Sequence, residues 1–263
     1  MYVRKAAVSG YFYPEDKEEL NSLTNQLLNE FDKENIKADP KALIVPHAGY
    51  AYSGRVAASA YHMLTKSLQT IKKIILLGPS HRVPVKGIAL SSADCFETPM
   101  GNISVDTQLR NKLVQDPGIF VQDEAHKAEH SLEVQLPFLQ KIFGNEVQIL
   151  PALTNRASPY QIVDFLEKIW GDMETRIVVS SDLSHYLGYD EAKRKDRYTS
   201  DAIIHFDIEH LHDDDACGLI GIKGLLMAAQ QKTLTPECIL LSNSGDSSGD
   251  KSKVVGYGSF CFI

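Results

Sequence analysis

Three apolar runs in this chain each stop in a loop that carries a histidine. They are Leu43-Ile44-Val45-Pro46-His47, Ile74-Ile75-Leu76-Leu77-Gly78-Pro79-Ser80-His81 and Ile177-Val178-Val179-Ser180-Ser181-Asp182-Leu183-Ser184-His185. A short aliphatic run halted by Gly, Pro or Ser reads as a buried strand ending in a loop. In an open α/β sheet the loops at such strand ends converge on one crevice. Core packing does not require several imidazoles at one sheet edge, whereas metal binding and proton transfer near neutral pH both use them. His47 and His81 are therefore candidate metal ligands. Asp182 could orient an imidazole or ligate the metal, and His185 could move a proton beside it. The plainer alternative is a polar loop residue satisfied by backbone, or for Asp182 a helix cap.

Cys217 is a third candidate ligand. It follows Asp213-Asp214-Asp215-Ala216 and precedes Gly218-Leu219-Ile220-Gly221. An aspartate there can cap a helix running to Ala229, which puts Cys217 in its first turn. The helix dipole favours a thiolate, three aspartates oppose it, and a bound cation would stabilise both. A small buried cysteine is the commoner fate of free thiols, and Cys95, Cys238 and Cys261 are assigned to it. Glu129, His130 and Glu133 group at an expected helix start, where the dipole favours a neutral ring at His130 and so a supporting role. His62, His126, His205, His210 and His212 lack the strand-end setting and read mostly as surface residues, His212 alone lying near Cys217 in sequence.

The elements that must position these residues follow from hydrophobic period. Helices are expected over about 15–33, from Val56 through Ser67/Leu68, near 106–115, from Glu129 to Phe143, over 158–170, from Asp190 to roughly His210 and from Cys217 to Ala229. Pro137 should kink or break the fourth of these. Strands are expected at 42–46, 73–78, 87–90, 147–150, 176–180 and 256–261, with a hairpin or irregular loop at 96–105 and a loop at 116–128. Strands alternating with helices, without a long linker or repeat, indicate a single α/β domain over 1–263, its central mostly parallel or mixed sheet flanked by helices.

Of the 263 residues, 43% are hydrophobic and 23% charged, with a formal net charge of −7. An acidic balance argues against a nucleic-acid partner. The Lys193-Arg194-Lys195 cluster reads as a solvated helix face. The cysteines form no CxxC pair, the N-terminal segment lacks a signal-peptide apolar region, and no stretch reaches the roughly 18 apolar residues of a membrane span. These features suit a cytoplasmic protein with reduced thiols.

Taken in order, several motifs resemble one family across essentially the whole chain. They are Ala6-Ala7-Val8-Ser9-Gly10-Tyr11-Phe12-Tyr13-Pro14, Pro46-His47-Ala48-Gly49-Tyr50-Ala51-Tyr52-Ser53-Gly54, Leu77-Gly78-Pro79-Ser80-His81 and Glu129-His130-Ser131-Leu132-Glu133. Ser180-Ser181-Asp182-Leu183-Ser184-His185, Cys217-Gly218, Ser248-Gly249-Asp250 and Val254-Val255-Gly256-Tyr257 complete the set. The sequence resembles the Memo family, called AmmeMemoRadiSam system protein B in bacteria and archaea. That resemblance implies a fold like the class III extradiol (LigB-type) non-haem iron dioxygenases. It also implies that His47, His81 and Cys217 match metal-binding positions, with cysteine where the dioxygenases carry a carboxylate. Asp182 and His185 match the family's nearby aspartate and its proton-transfer histidine.

The implied function is iron-linked redox or oxygen chemistry at a mononuclear site, with Fe(2+) the first expectation and zinc or copper the alternatives. The substrate would be a small molecule that the sequence does not name. Two other readings use the same residues: a zinc hydrolase, and a non-catalytic module holding a peptide or protein in the old pocket. The family's names imply radical-SAM and AMMECR-type proteins as partners. The Asp213-Asp214-Asp215 run is more acidic than the family leads one to expect.

Overall fold

The computed structural model describes residues 1–31, 39–66 and 68–263. In chain order the first elements are β1 (Val3–Arg4), α1 (Lys17–Asn29), β2 (Ala42–Val45), α2 (Tyr50–Met63), β3 (Lys73–Pro79), β4 (Ile88–Leu90), β5 (Cys95–Thr98) and β6 (Gly101–Val105). Next come α3 (Thr107–Leu113), β7 (Ile119–Val121), α4 (Asp123–Lys127), α5 (Leu136–Phe143), β8 (Gln148–Thr154), α6 (Pro159–Ile169) and β9 (Thr175–Ser180). The chain closes with β10 (His185–Leu187), α7 (Tyr189–Ile204), α8 (Leu219–Gln231), β11 (Pro236–Asn243), α9 (Ser244–Ser248) and β12 (Val254–Phe262).

All the strands join one mixed sheet whose centre is the parallel series β8-β3-β9-β2. β12 runs antiparallel to β2 and carries β10 and β11, while β6, β5 and β1 extend the other side. The central strands are buried on both faces, so they read as continuous apolar runs, yet their side chains still alternate. Leu43, Val45, Ile74 and Leu76 enter a core shared with α1, α2 and α5. Ile44, Ile75, Leu77 and Val179 enter a second core shared with α6 and α8. This is the α/β sheet with flanking helices that the sequence pattern leads one to expect, and its parallel strands β3, β9 and β2 end side by side.

Several boundaries differ from expectation for identifiable reasons. α1 begins after Asp16, whose carboxylate caps the Glu18 and Glu19 amides, and it ends at Asn29; residues 32 and 33 of the expected helix lie outside the described residues. α2 gives way to a 3-10 turn at Leu64–Lys66, Ser67 lies outside the described residues, and Leu68 is exposed. No single helix runs from Glu129. Residues 129–132 are irregular, Glu133–Gln135 form a 3-10 turn, and Pro137 sits in the first turn of α5, where its missing N–H is not needed. The expected loop at 116–128 contains β7 and α4, both too short to show a period. α7 stops at Ile204 because Phe206 takes a left-handed conformation, φ 55°, that turns the chain. α8 starts at Leu219 with Gly218 as its N-cap, so Cys217 lies before the helix and no aspartate caps it. β11 and α9 are additional elements. His62 and His126 are buried rather than on the surface, with His126 Nε2 3.0 Å from the Ala89 carbonyl oxygen.

One buried ion pair fastens the N-terminal strand to the segment that supports the site. Arg4 pairs with Glu133 and donates to the carbonyls of His126 and Glu129 at 2.9 and 2.6 Å. Glu133 also accepts from the Ala7 and Val8 amides at 2.8 and 3.0 Å and from the Tyr13 hydroxyl at 2.6 Å. Glu133 is thus a structural anchor. Removing one partner of such a pair leaves a buried charge uncompensated. Glu133→Ala is expected to lower unfolding stability by about 3–5 kcal/mol, read as an earlier urea midpoint; an unchanged midpoint would show that the network carries no stability.

Candidate metal centre

Strands in a sheet lie about 4.8 Å apart, so residues just past the ends of adjacent β3, β9 and β2 must crowd together. His47 follows β2, His81 follows β3, and Asp182 follows β9. Cys217 reaches the same point from the turn before α8. That turn presses against β9: a Cβ on Gly218 would lie 2.6 Å from the Ser180 carbonyl oxygen and 2.7 Å from Ser181 Cβ. Only glycine allows the approach, and the Gly218 amide donates to Ser181 Oγ at 2.9 Å. One ligand atom from each of His47, His81 and Cys217 lies within 4.8 Å of the others, and His47 Nε2 is 3.3 Å from Cys217 Sγ.

A metal needs the unprotonated nitrogen of each imidazole, and the hydrogen bonds decide which nitrogen that is. Ser180 Oγ donates to the Ser131 carbonyl at 2.6 Å and accepts from Gln135 Nε2 at 3.0 Å. With its own proton committed, Ser180 Oγ can only accept from His47 Nδ1, 2.9 Å away. His47 Nε2 therefore carries the lone pair. His81 Nδ1 is 2.9 Å from Glu129 Oε1, and since an ionised carboxylate can only accept, Nδ1 carries the proton that it donates and Nε2 keeps the lone pair.

Glu129 serves His130 as well, with Nδ1 3.1 Å away, and accepts from the backbone amides of His81, His130 and Ser131 at 2.6, 2.9 and 3.0 Å. Burial would raise its pKa, but the His130 and His81 hydrogen bonds outweigh this and hold the carboxyl well below the usual range. His81, Glu129 and His130 could by residue type form a second metal group. The five N–H groups converging on Glu129 identify it instead as a hydrogen-bonded clamp. His130 stacks on His81 with ring centroids 4.7 Å apart and meets His47 edge-on at 5.3 Å. It supports the site, as the sequence suggests, although no helix starts at that point.

Asp182 ties two of the ligands together. Its Oδ1 accepts from the His47 amide at 2.8 Å, its own amide donates to Cys217 Sγ at 3.3 Å, and its carbonyl accepts from the Cys217 amide at 3.3 Å. Burial raises its pKa to about 6 against the pull of the His47 amide and the nearby histidines. Burial also pushes the Cys217 thiol up to about 12, and the Asp182 carboxylate adds to the rise. The Asp213–Asp215 run borders Cys217 but caps no helix: Lys195 pairs with Asp214 and Asp215, and Asp215 accepts from the His212 amide at 2.6 Å. His212 itself is exposed. Burial, then the neighbouring His81, holds the His47 ring well below its ordinary pKa and so neutral.

Two of the three donors, His81 and Cys217, line a cleft of about 420 Å³ together with His185, Leu187, Lys195 and Asp214, among others. His185, the first residue of β10, faces this cleft, and burial lowers its pKa while the Leu183 carbonyl accepts from its ring. The structure thus brings His47, His81 and Cys217 to one point, with Asp182 behind them and His185 at the cleft. Ser180, Gln135 and the clamp function of Glu129 were not recognisable from sequence. Ser180 lies within an apolar strand and Gln135 within a helical pattern, and only their meeting reveals a role.

Comparison with known proteins places the chain. The Memo-like protein family model matches residues 4–261. A MEMO1 family protein of Aquifex aeolicus is 39% identical, with all of both chains covered. One from Thermoplasma volcanium is 34% identical, covering 98% of this chain and 97% of the relative. The chain belongs to the Memo-like family. A crystal structure of an uncharacterized protein from Escherichia coli K12 shares the fold, with a TM-score of 0.54, 11% identity, and coverage of 83% of this chain and 98% of that one. Among the described residues no helix is long and apolar enough to cross a membrane.

Two measurements follow from the hydrogen bonds. Ser180→Ala removes the acceptor that sets the His47 tautomer, and should weaken metal binding about 10–100-fold in a chelator competition titration. Equal affinity would show that the tautomer needs no such partner. Because the thiol stays protonated below about 12, metal must displace its proton, and apparent affinity should rise about tenfold per pH unit near neutrality. In Cys217→Ser that slope should flatten.

Proposed function

We propose that this protein is a mononuclear iron protein that carries out redox chemistry on a small molecule. The observation behind this reading is that three donor atoms of the right type lie within 4.8 Å of one another, two of them on residues that line a cleft. Donors about 2.1–2.3 Å from a tetrahedral metal are roughly 3.6 Å apart, and the 3.3 Å between His47 Nε2 and Cys217 Sγ fits that spacing. His47, His81 and Cys217 would hold the metal. When bound, iron would supply the electron exchange and positions open to a small molecule.

The remaining roles belong to the chain's own groups. Ser180 and Glu129 keep the two imidazoles in the binding tautomer. Asp182 fixes the His47 backbone and the Cys217 turn relative to each other. His185, largely neutral because burial lowers its pKa, accepts or returns a proton at a ligand atom in the cleft. The cleft, at about 420 Å³, suits a small molecule rather than a folded partner. The thiolate donates more charge than a carboxylate and is itself oxidisable, so the reaction need not copy that of carboxylate-ligated dioxygenases.

Metal content after anaerobic purification tests the reading. Wild-type protein should carry iron in stoichiometric amount, Cys217→Ser should lose it, and His185→Gln should retain it. Zinc in the wild type would favour a hydrolase, and protein free of any metal that instead binds peptides would favour a binding module.

A further inference from the structure

β11 is an edge strand. Its inner side pairs with β12 from Pro236 to Asn243, α2 and α7 pack against it from the two faces, and among the described residues no strand pairs with its outer side. Every second residue of such a strand turns its N–H and C=O away from the sheet. Cys238, Ile239, Leu240, Leu241 and Ser242 are all only half-buried. Protection of this edge is confined to one end, where Pro236, Glu237 and a bulge between Cys238 and Leu240 interrupt it.

Between β11 and α7 run two adjoining hollows of about 590 and 600 Å³ that share Arg197 and Leu241. Their charges are polarised along the groove. The end beside Leu241–Asn243 carries Lys193 and Arg194 together with Asp196, which is buried and accepts from the Ser184 amide at 3.0 Å. The end beside Pro236 carries Glu237 and Asp201, the latter 3.5 Å from the shared Arg197. Asp246, also at the cationic end, is occupied by the Tyr189 hydroxyl at 2.6 Å, Ser242 Oγ at 2.9 Å and the Asn243 amide at 3.1 Å. Lys195, the third residue of the basic cluster, points to the metal cleft and its aspartates.

We infer that β11 and this groove form a homodimer interface in which two copies pair antiparallel along β11 and continue one sheet across both. An antiparallel pair about a two-fold axis near the middle of β11 lays the Pro236 end of one copy against the Asn243 end of the other. Glu237 and Asp201 of each copy then face Lys193 and Arg194 of its mate, twice over. A polarised groove is complementary to itself under this symmetry. The metal cleft is lined by Lys195, whereas Lys193 and Arg194 line the groove, so the two sites share none of the cluster's residues.

Sedimentation velocity of the full chain across the micromolar range tests the interface. Wild type should shift from monomer to dimer with concentration. Arg194→Glu and Glu237→Arg should each weaken association about tenfold or more, because each places like charges across the contact. The double variant should restore it. Both residues are exposed, and far-UV circular dichroism checks that each variant is folded. A wild type that stays monomeric, a dimer indifferent to both single changes, or a double variant no tighter than the singles would each overturn the proposal.

Discussion

A metal can bind an imidazole only through a nitrogen without a proton, and here hydrogen bonds on the far side of each ring impose that condition. His47 depends on Ser180, whose own proton goes to the Ser131 carbonyl while Gln135 fills its remaining acceptor position. His81 depends on Glu129. Ser131 and Gln135, which hold Ser180, and Glu129 all belong to the segment 129–135, which Arg4 and Glu133 fasten to the first strand. The chain's N-terminus therefore contributes to metal-site geometry without coming near the metal donors.

The parallel order β3-β9-β2 supplies the other half of the constraint. It brings two ligand loops and the Asp182 loop side by side, and Gly218 lets the Cys217 turn close against β9. Burial pushes the thiol up to about 12, and the candidate donor His47 Nε2 lies 3.3 Å from its sulfur. Loading a metal here would exchange one proton for one cation, so the charge of Asp182 near Cys217, costly beside a bare thiolate, would become favourable. The same carboxylate that raises the thiol pKa would thereby help retain the ion.

Much of this arrangement could be read from residue order. His47 and His81 stand out because aliphatic runs halted by Pro or Gly are strands whose ends have to open into loops. Cys217 is less legible: its surroundings also allow a buried structural thiol, and the Asp-capped helix start that makes it a candidate in the sequence is replaced in the structure by a turn ahead of α8. The functions of Ser180 and Gln135 depend on contacts between segments 45 residues apart in the chain, which no local pattern encodes. Pro137 marks a helix start rather than a kink inside a helix from Glu129, because the segment before it is held irregular by side-chain bonds to Glu129 and Glu133. β11 escapes the period rules since its apolar residues are half-exposed at an edge, and β7 and α4 are too short to repeat. His126 looked like a surface residue because a single buried imidazole satisfied by a carbonyl leaves no trace in sequence.

X-ray absorption at the metal K-edge of the iron-loaded protein tests the central claim most directly. Coordination by His47, His81 and Cys217 gives one sulfur scatterer at about 2.3 Å and two imidazole nitrogens near 2.1 Å. A shell of nitrogen and oxygen alone in the wild type would contradict it.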